Sequence, residues 1–205
     1  MLDNQLANKE VLLRNYIRKL NSAALAFSGG VDSALVAYIA SQELGDNFCA
    51  VTLRSPLISK EDLTECVLFC QTYKIPHQIL DMDILAYPSF AANDVNRCYY
   101  CKETIFTALH VHADQYGMEH VMDGTNIEDD PARRPGMRVL HEQGIRSPLR
   151  ANNLGKADIR ALSKKLGLFT WDKESGACLA THIPINVAIT AQSLRAVCEK
   201  ELQAQ

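Results

Sequence analysis

The sequence predicts an α/β fold: a doubly wound parallel sheet with helices on both faces. Three observations carry that prediction. Short apolar runs of strand length alternate with longer segments of helical period, at the spacing of strand–helix units. The first such run breaks straight into glycines and then a helix, in Leu25-Ala26-Phe27-Ser28-Gly29-Gly30-Val31-Asp32-Ser33. A chain of 205 residues, 47% hydrophobic and 22% charged, has enough apolar material for one sizeable core.

Residues 8–20 place Val11, Leu12, Tyr16, Ile17 and Leu20 at helical spacing, which reads as an amphipathic helix ahead of the first strand. The strand ending at Phe27 turns through Ser28, Gly29 and Gly30 into a helix over 31–44. Two glycines permit positive φ and close approach of a phosphate, and the free amides of the helix start attract negative charge. Ser28 and Ser33 add hydroxyl donors, while Asp32 can cap the first turn or help hold a metal. Neither the Gly-Lys-Ser/Thr ending of a P-loop nor the three-glycine dinucleotide spacing is present, so this is a polyphosphate site of another kind.

Strands follow at 48–53 and 77–82, with a helix over 59–73 between them, capped by Ser59 and opened by Glu61 and Asp62. Cys66 and Cys70 sit four apart on that helix among apolar neighbours and read as core rather than ligands. Residues 84–96 have weak periodicity and read as a loop with one helical turn. Cys98 and Cys101 open the next helix, which runs to about 116, and there the helix dipole favours thiolates. A single Cys-x-x-Cys of this kind suits a redox dithiol, half a zinc site, or two ligands of an iron–sulfur cluster.

A fourth strand, 119–123, ends in Asp123-Gly124-Thr125-Asn126, polar groups placed at a strand's carboxyl end to meet a nucleotide. In the charged loop 129–136, Arg133 and Arg134 can hold phosphate. An extended piece at 145–149 and a helix over 156–166, stopped by Gly167, lead to a loop rich in small and polar residues that carries the only Trp and the isolated Cys178. A last helix spans 190–201, with Cys198 packing.

The net charge of −3 argues against nucleic acid as a partner. No apolar run is long enough to cross a bilayer, and the start is no signal peptide, so a cytoplasmic chain with no membrane partner is expected. In that reducing compartment the seven cysteines are thiols, ligands or catalysts.

Ser28-Gly29-Gly30-Val31-Asp32-Ser33 resembles the pyrophosphate loop of the PP-loop ATP pyrophosphatases. From about 10 to 199 the chain resembles the LarE family within that superfamily. The matching blocks are Ala50-Val51-Thr52, Asn96-Arg97-Cys98-Tyr99-Tyr100-Cys101-Lys102, Asp123-Gly124-Thr125-Asn126, Arg134-Pro135-Gly136, Arg146-Ser147-Pro148-Leu149, Thr170-Trp171-Asp172-Lys173 and Ala177-Cys178-Leu179-Ala180. The resemblance implies a Rossmann-like, adenine nucleotide alpha hydrolase-like fold, with 1–170 as the PP-loop domain. Residues 171–205 form a cysteine-bearing loop and C-terminal helix, and the family's small C-terminal domain is expected to be missing.

The resemblance also implies an ATP-dependent sulfur transferase that adenylates a carboxylate of a pyridinium mononucleotide, with Asp32 and Mg²⁺ serving the chemistry. Nucleotide binding falls to Ser28, Gly29, Gly30, Val31, Asp32, Ser33, Asp123, Asn126 and Arg134. Sulfur comes either from Cys178 itself or from a sulfide on a 4Fe–4S cluster held by Cys98, Cys101 and Cys178. All three cysteines are present, which favours the cluster form. The partners implied are ATP, a small carboxylated or nucleotide-like substrate, a sulfide or cysteine-derived sulfur donor, and further copies of the chain in a homo-oligomer. Thr181-His182 and Pro184-Ile185-Asn186 depart from the family's Ser-Arg and Pro-Tyr-Gly, so His182 replaces an arginine. Three other readings stay open: tRNA thiolation by a PP-loop enzyme, amide formation by an ammonia-using synthetase, and a non-catalytic nucleotide-binding protein.

Overall fold

The computed structural model describes residues 2–131, 134–174, 176 and 178–204, with residues 2, 3 and 201–204 by backbone alone. Helix α1 (Leu2–Arg18) leads into strand β1 (Ala23–Ala26), helix α2 (Val31–Leu44) and strand β2 (Phe48–Arg54). Helix α3 (Lys60–Thr72), strand β3 (His77–Asp81), the short α4 (Pro88–Ala91), the long α5 (Arg97–Gln115) and strand β4 (His120–Met122) follow. Beyond β4 come α6 (Met137–Glu142), α7 (Pro148–Ala151), α8 (Lys156–Lys165) and α9 (Ala191–Ala204).

The four strands lie in the order β3-β2-β1-β4 with every pairing parallel. The chain therefore steps outward from β1 to β3, then crosses back to place β4 on the other side of β1. That reversal is the switch point of a doubly wound sheet, where ligands collect beyond the carboxyl ends of the strands. Alternation along β1 sorts the layers. Ala23 and Leu25 join one core with α1, α2, α3 and α8, whereas Ala24 joins the other with α5, α6 and Val121. A third cluster packs α9 and the 179–189 segment on Ile84 and Phe90, with Cys101 and Cys198 at its margin.

Several expectations are amended. The buried face of α1 is Leu13 and Ile17, backed by Leu6 and Tyr16, whereas Val11 and Leu12 face outward. The spacing 6, 13, 17 keeps one stripe at 100° per residue, and positions 11 and 12 fall outside it. Residues 145–149 are extended only through Arg146, which bridges Met122, before Pro148 starts α7. The helix α6, directly after Gly136, was not anticipated from the sequence. Cys66 and Cys70 are buried as expected, and with Cys49 they form thiols held in the core.

Candidate active site

The loop between β1 and α2 is held from beneath. Phe27 donates its amide to Val51 O at 2.9 Å, and the buried Thr52 hydroxyl donates to Phe27 O at 3.0 Å. His77 Nε2 lies 2.9 Å from that hydroxyl, and burial lowers the pKa of the His77 ring. Since Thr52 has already given its proton, the neutral ring donates from Nε2. Gly29 has φ of +72° and stands so close to α3 that a Cβ there would meet Cys66 Sγ at 2.7 Å. The glycine is required twice, by backbone conformation and by space.

Gly30 starts α2 without a side-chain cap, so the first amides of a 14-residue helix remain open to an anion. Ser28 and Ser33 face each other, their hydroxyls 3.1 Å apart, and Ser33 donates to Gly30 O. The strand-end turn after β4 presses on the same place. A Cβ on Gly124 would stand 2.9 Å from the Ser33 amide nitrogen, so backbone meets backbone there.

Asp32 does not cap its helix. Its Oδ2 is paired with Lys156 Nζ at the start of α8, while Oδ1 is buried and accepts no hydrogen bond among the described residues. Burial raises the pKa of this carboxyl; Lys156 and the neighbouring Asn126 amide oppose the rise, and Asp129 adds to it. A part-buried carboxylate oxygen with an open lone pair, beside an anion-seeking helix start, suits a divalent cation that travels with a polyphosphate.

Asp123 is occupied internally. Its carboxylate accepts from Ser147 Oγ at 2.6 Å and from the Thr125 amide and hydroxyl. Asn126 is buried and organises the turn, taking the Glu128 amide on its side chain and giving its own amide to Asp129. Arg134 is exposed and ion-paired with Asp129 at 2.6 Å. Arg133, the other arginine expected to hold phosphate, lies outside the described residues, as do Ser175 and Ala177. Lys156 was missed in the sequence, because a lone lysine opening a helix has no signature of its own.

The segment that carries Cys178 is tied to the start of α5 by a clasp that sequence reasoning did not anticipate. The buried Arg97 donates to Asn93 Oδ1 at 2.7 Å and to Ala180 O at 2.8 Å. Asn93, fully buried with φ of +56°, donates in turn to Pro184 O and Val187 O, both at 2.8 Å. These bonds fix the segment carrying Cys178 against the first turn of α5. Cys98 and Cys178 are exposed, while Cys101 is half-buried. Burial, with negative charge on Cys178 and Cys98 acting in the same direction, pushes the Cys101 thiol up to about 12. The helix dipole expected to favour a thiolate at Cys101 is outweighed by desolvation. Among the described residues no three His, Cys, Asp or Glu side chains converge as a single-ion site.

Residues 5–98 match the NAD synthase family. The chain is 37% identical to an uncharacterized protein of Synechocystis, across 98% of this chain and 74% of that one. It is 30% identical to the pyridinium-3,5-bisthiocarboxylic acid mononucleotide synthase of Lactiplantibacillus plantarum, across 96% of this chain and 71% of the relative. The chain belongs to the LarE family. Like that family it is an ATP-dependent sulfur transferase of the PP-loop superfamily, forming AMP and pyrophosphate. The solved NH3-dependent NAD synthetase of Campylobacter jejuni shares the fold, with a TM-score of 0.65 at 18% identity, covering 98% of this chain and 87% of that one.

Among the described residues, no helix is long and apolar enough to cross a membrane.

Proposed function

We propose that this LarE-family enzyme converts a carboxylate of a pyridinium mononucleotide into a thiocarboxylate, with sulfide delivered at Cys98, Cys101 and Cys178. One observation carries the reading: the Arg97–Asn93 clasp brings Cys178 within electrostatic reach of Cys101 across a long stretch of chain. A merely structural cysteine in an exposed loop would need no such arrangement.

A substrate carboxylate oxygen attacks the α-phosphorus of ATP, the bond to the β-phosphate oxygen breaks, and pyrophosphate leaves. The amides opening α2 and the hydroxyls of Ser28 and Ser33 stabilise charge on the departing group. Asp32, through its open Oδ1, would hold Mg²⁺, which supplies further charge neutralisation. A sulfide nucleophile then adds to the acyl carbon and AMP departs with the electron pair of the C–O bond.

The donor set fits a cluster. Two thiols are exposed and a third is half-buried beside them, and their mutual repulsion as anions is relieved by a cationic metal core. A four-iron cube is wider than one ion, so its ligands need not converge on a point. Cys98, Cys101 and Cys178 would hold it, leaving one iron open to carry sulfide.

The test is iron and acid-labile sulfide per chain in anaerobically purified protein, with Cys98→Ala and Cys178→Ala alongside. About four of each, lost in both variants, is expected. Iron-free protein after reconstitution that converts Cys178 to dehydroalanine during turnover would overturn cluster-borne sulfide.

A further inference from the structure

The sheet has one covered edge and one open edge. Beside β4 the chain returns at Arg146, whose amide donates to Val121 O and whose carbonyl accepts from the Asp123 amide, both at 2.9 Å. Among the described residues nothing covers β3 in this way. Ala50 donates to Pro76 O and Met82 donates to Arg54 O, so in the parallel ladder the main-chain groups of 76, 78, 80 and 82 turn toward β2. Those of His77, Ile79 and Asp81 turn outward, and they have no main-chain partner among the described residues.

Soluble proteins commonly blunt such an edge with lysine, proline or a bulge. The five residues of β3, His77-Gln78-Ile79-Leu80-Asp81, contain neither lysine nor proline and pair with β2 one for one. Ile79, at the centre of the strand, is 39% exposed. Between this edge and α3 lies a groove of about 480 Å³, walled by Val67, Ile75 and Ile79 and rimmed by Gln71, Lys74 and His77.

Charge along the edge is complementary to itself run backwards. Arg54 on the neighbouring strand already balances Asp81, at 2.5 Å. Lys74 ahead of β3 and Asp83 beyond it are both exposed, and neither has an ion pair among the described residues. A twofold axis at Ile79 sets Ile79 opposite Ile79 of the second copy and His77 opposite Asp81 of the second copy. Asp83 of the second copy then falls opposite Ile75, beside Lys74. All three residues with outward main-chain groups face one another in this register. A slip of one residue sets outward groups against inward ones, and a slip of two loses the pairing of 77 with 81.

We propose that β3 is the pairing edge of a twofold dimer of this chain, two four-stranded sheets joining antiparallel across Ile79. The main-chain bonds hold the join, the apolar groove beside α3 is covered by it, and Lys74 with Asp83 of the second copy fixes its direction.

Sedimentation equilibrium on the whole chain, from about 1 µM to about 100 µM, tests the proposal. Concentration-dependent dimerisation of the wild type is expected. In Ile79→Pro the lost amide is one that faces outward, so no bond to β2 is removed, and proline is tolerated on an edge strand. This variant is expected to raise the dissociation constant at least about a hundredfold, with melting temperature confirming that it folds. Lys74 has φ of +54°, which aspartate accepts, so Lys74→Asp tests the charge without straining the backbone. It is expected to weaken the dimer about tenfold, and Lys74→Asp combined with Asp83→Lys to restore it to within about threefold. Wild-type chain that stays monomeric at the highest concentration overturns the proposal and leaves the edge to a strand of another protein. Self-association unchanged in both folded Ile79→Pro and Lys74→Asp assigns the interface to another face and overturns it equally.

Discussion

Replacing Gly29 with alanine asks two things of the loop at once. A side chain at φ of +72° costs about 1 kcal/mol, and a Cβ 2.7 Å from a buried sulfur adds overpacking of about 1–3 kcal/mol. The expected loss for Gly29→Ala is therefore about 2–4 kcal/mol, a large share of the 5–15 kcal/mol typical of a domain. The two parts separate in a double-mutant cycle, because Cys66→Ala removes the atom that is struck without changing φ. The double variant should recover about 1–3 kcal/mol relative to the sum of the single changes. Urea unfolding at constant m-value measures each corner. Strict additivity would refute the steric argument, leaving only the backbone term.

Lys156→Met removes the cation that favours the Asp32 carboxylate at a part-buried site, worth about 1–2 kcal/mol. Pyrophosphate release should fall about tenfold and its acid limb should move to higher pH; an unshifted limb would assign that limb elsewhere. Arg97→Met leaves Asn93 Oδ1 and Ala180 O without their donor, at about 1–3 kcal/mol each, and should strip bound iron while ATP affinity measured by calorimetry holds. Burial raises Cys49 and Cys66 to about 11, and Cys70 and Cys101 to about 12, from an ordinary value of 9. Above pH 9 the unfolded chain therefore loses protons that the folded chain keeps, and stability should decline as pH rises from 9 through 12. Urea midpoints at about pH 8 and pH 10 in metal-free protein test the sign, and Cys70→Ala should shallow the decline.

Much of the scaffold is legible because period and punctuation agree locally. The run Ala23–Ala26, the glycines behind it and the apolar helix after it announce strand, turn and helix without help from the rest of the chain. Cys66 was legible as core for the same reason, lying among Val67, Phe69 and Cys70. What failed was whatever depended on distant partners. Val11 and Leu12 satisfy a helical pattern yet face solvent, because the stripe through Leu6, Leu13 and Ile17 reaches the sheet layer instead. Met137–Glu142 is too short to show a period. Lys156 and Asn93 acquire their roles only through Asp32 and the segment at 183–187, and nothing in their own neighbours signals either. The pull of the helix start on Cys101 was foreseen, but its burial beside the third core cluster was not.

The clasp also sets an order of events during synthesis. Ser28 and Ser33 find each other across five residues, whereas Arg97 must wait for Ala180, 83 residues further on. At about 5–20 residues per second, a ribosome takes about 4–17 s to deliver that partner. Throughout that interval the nucleotide half has all of β1, β2 and their loop, while Cys98 and Cys101 stand without their third thiol. A metal core assembled on the nascent chain would find only two ligands and an unclasped helix end. On the proposed reading, loading would wait for the finished chain, because the turn after β4 and Lys156, which complete the nucleotide side at Ser33 and Asp32, are made well before Ala180 closes the clasp.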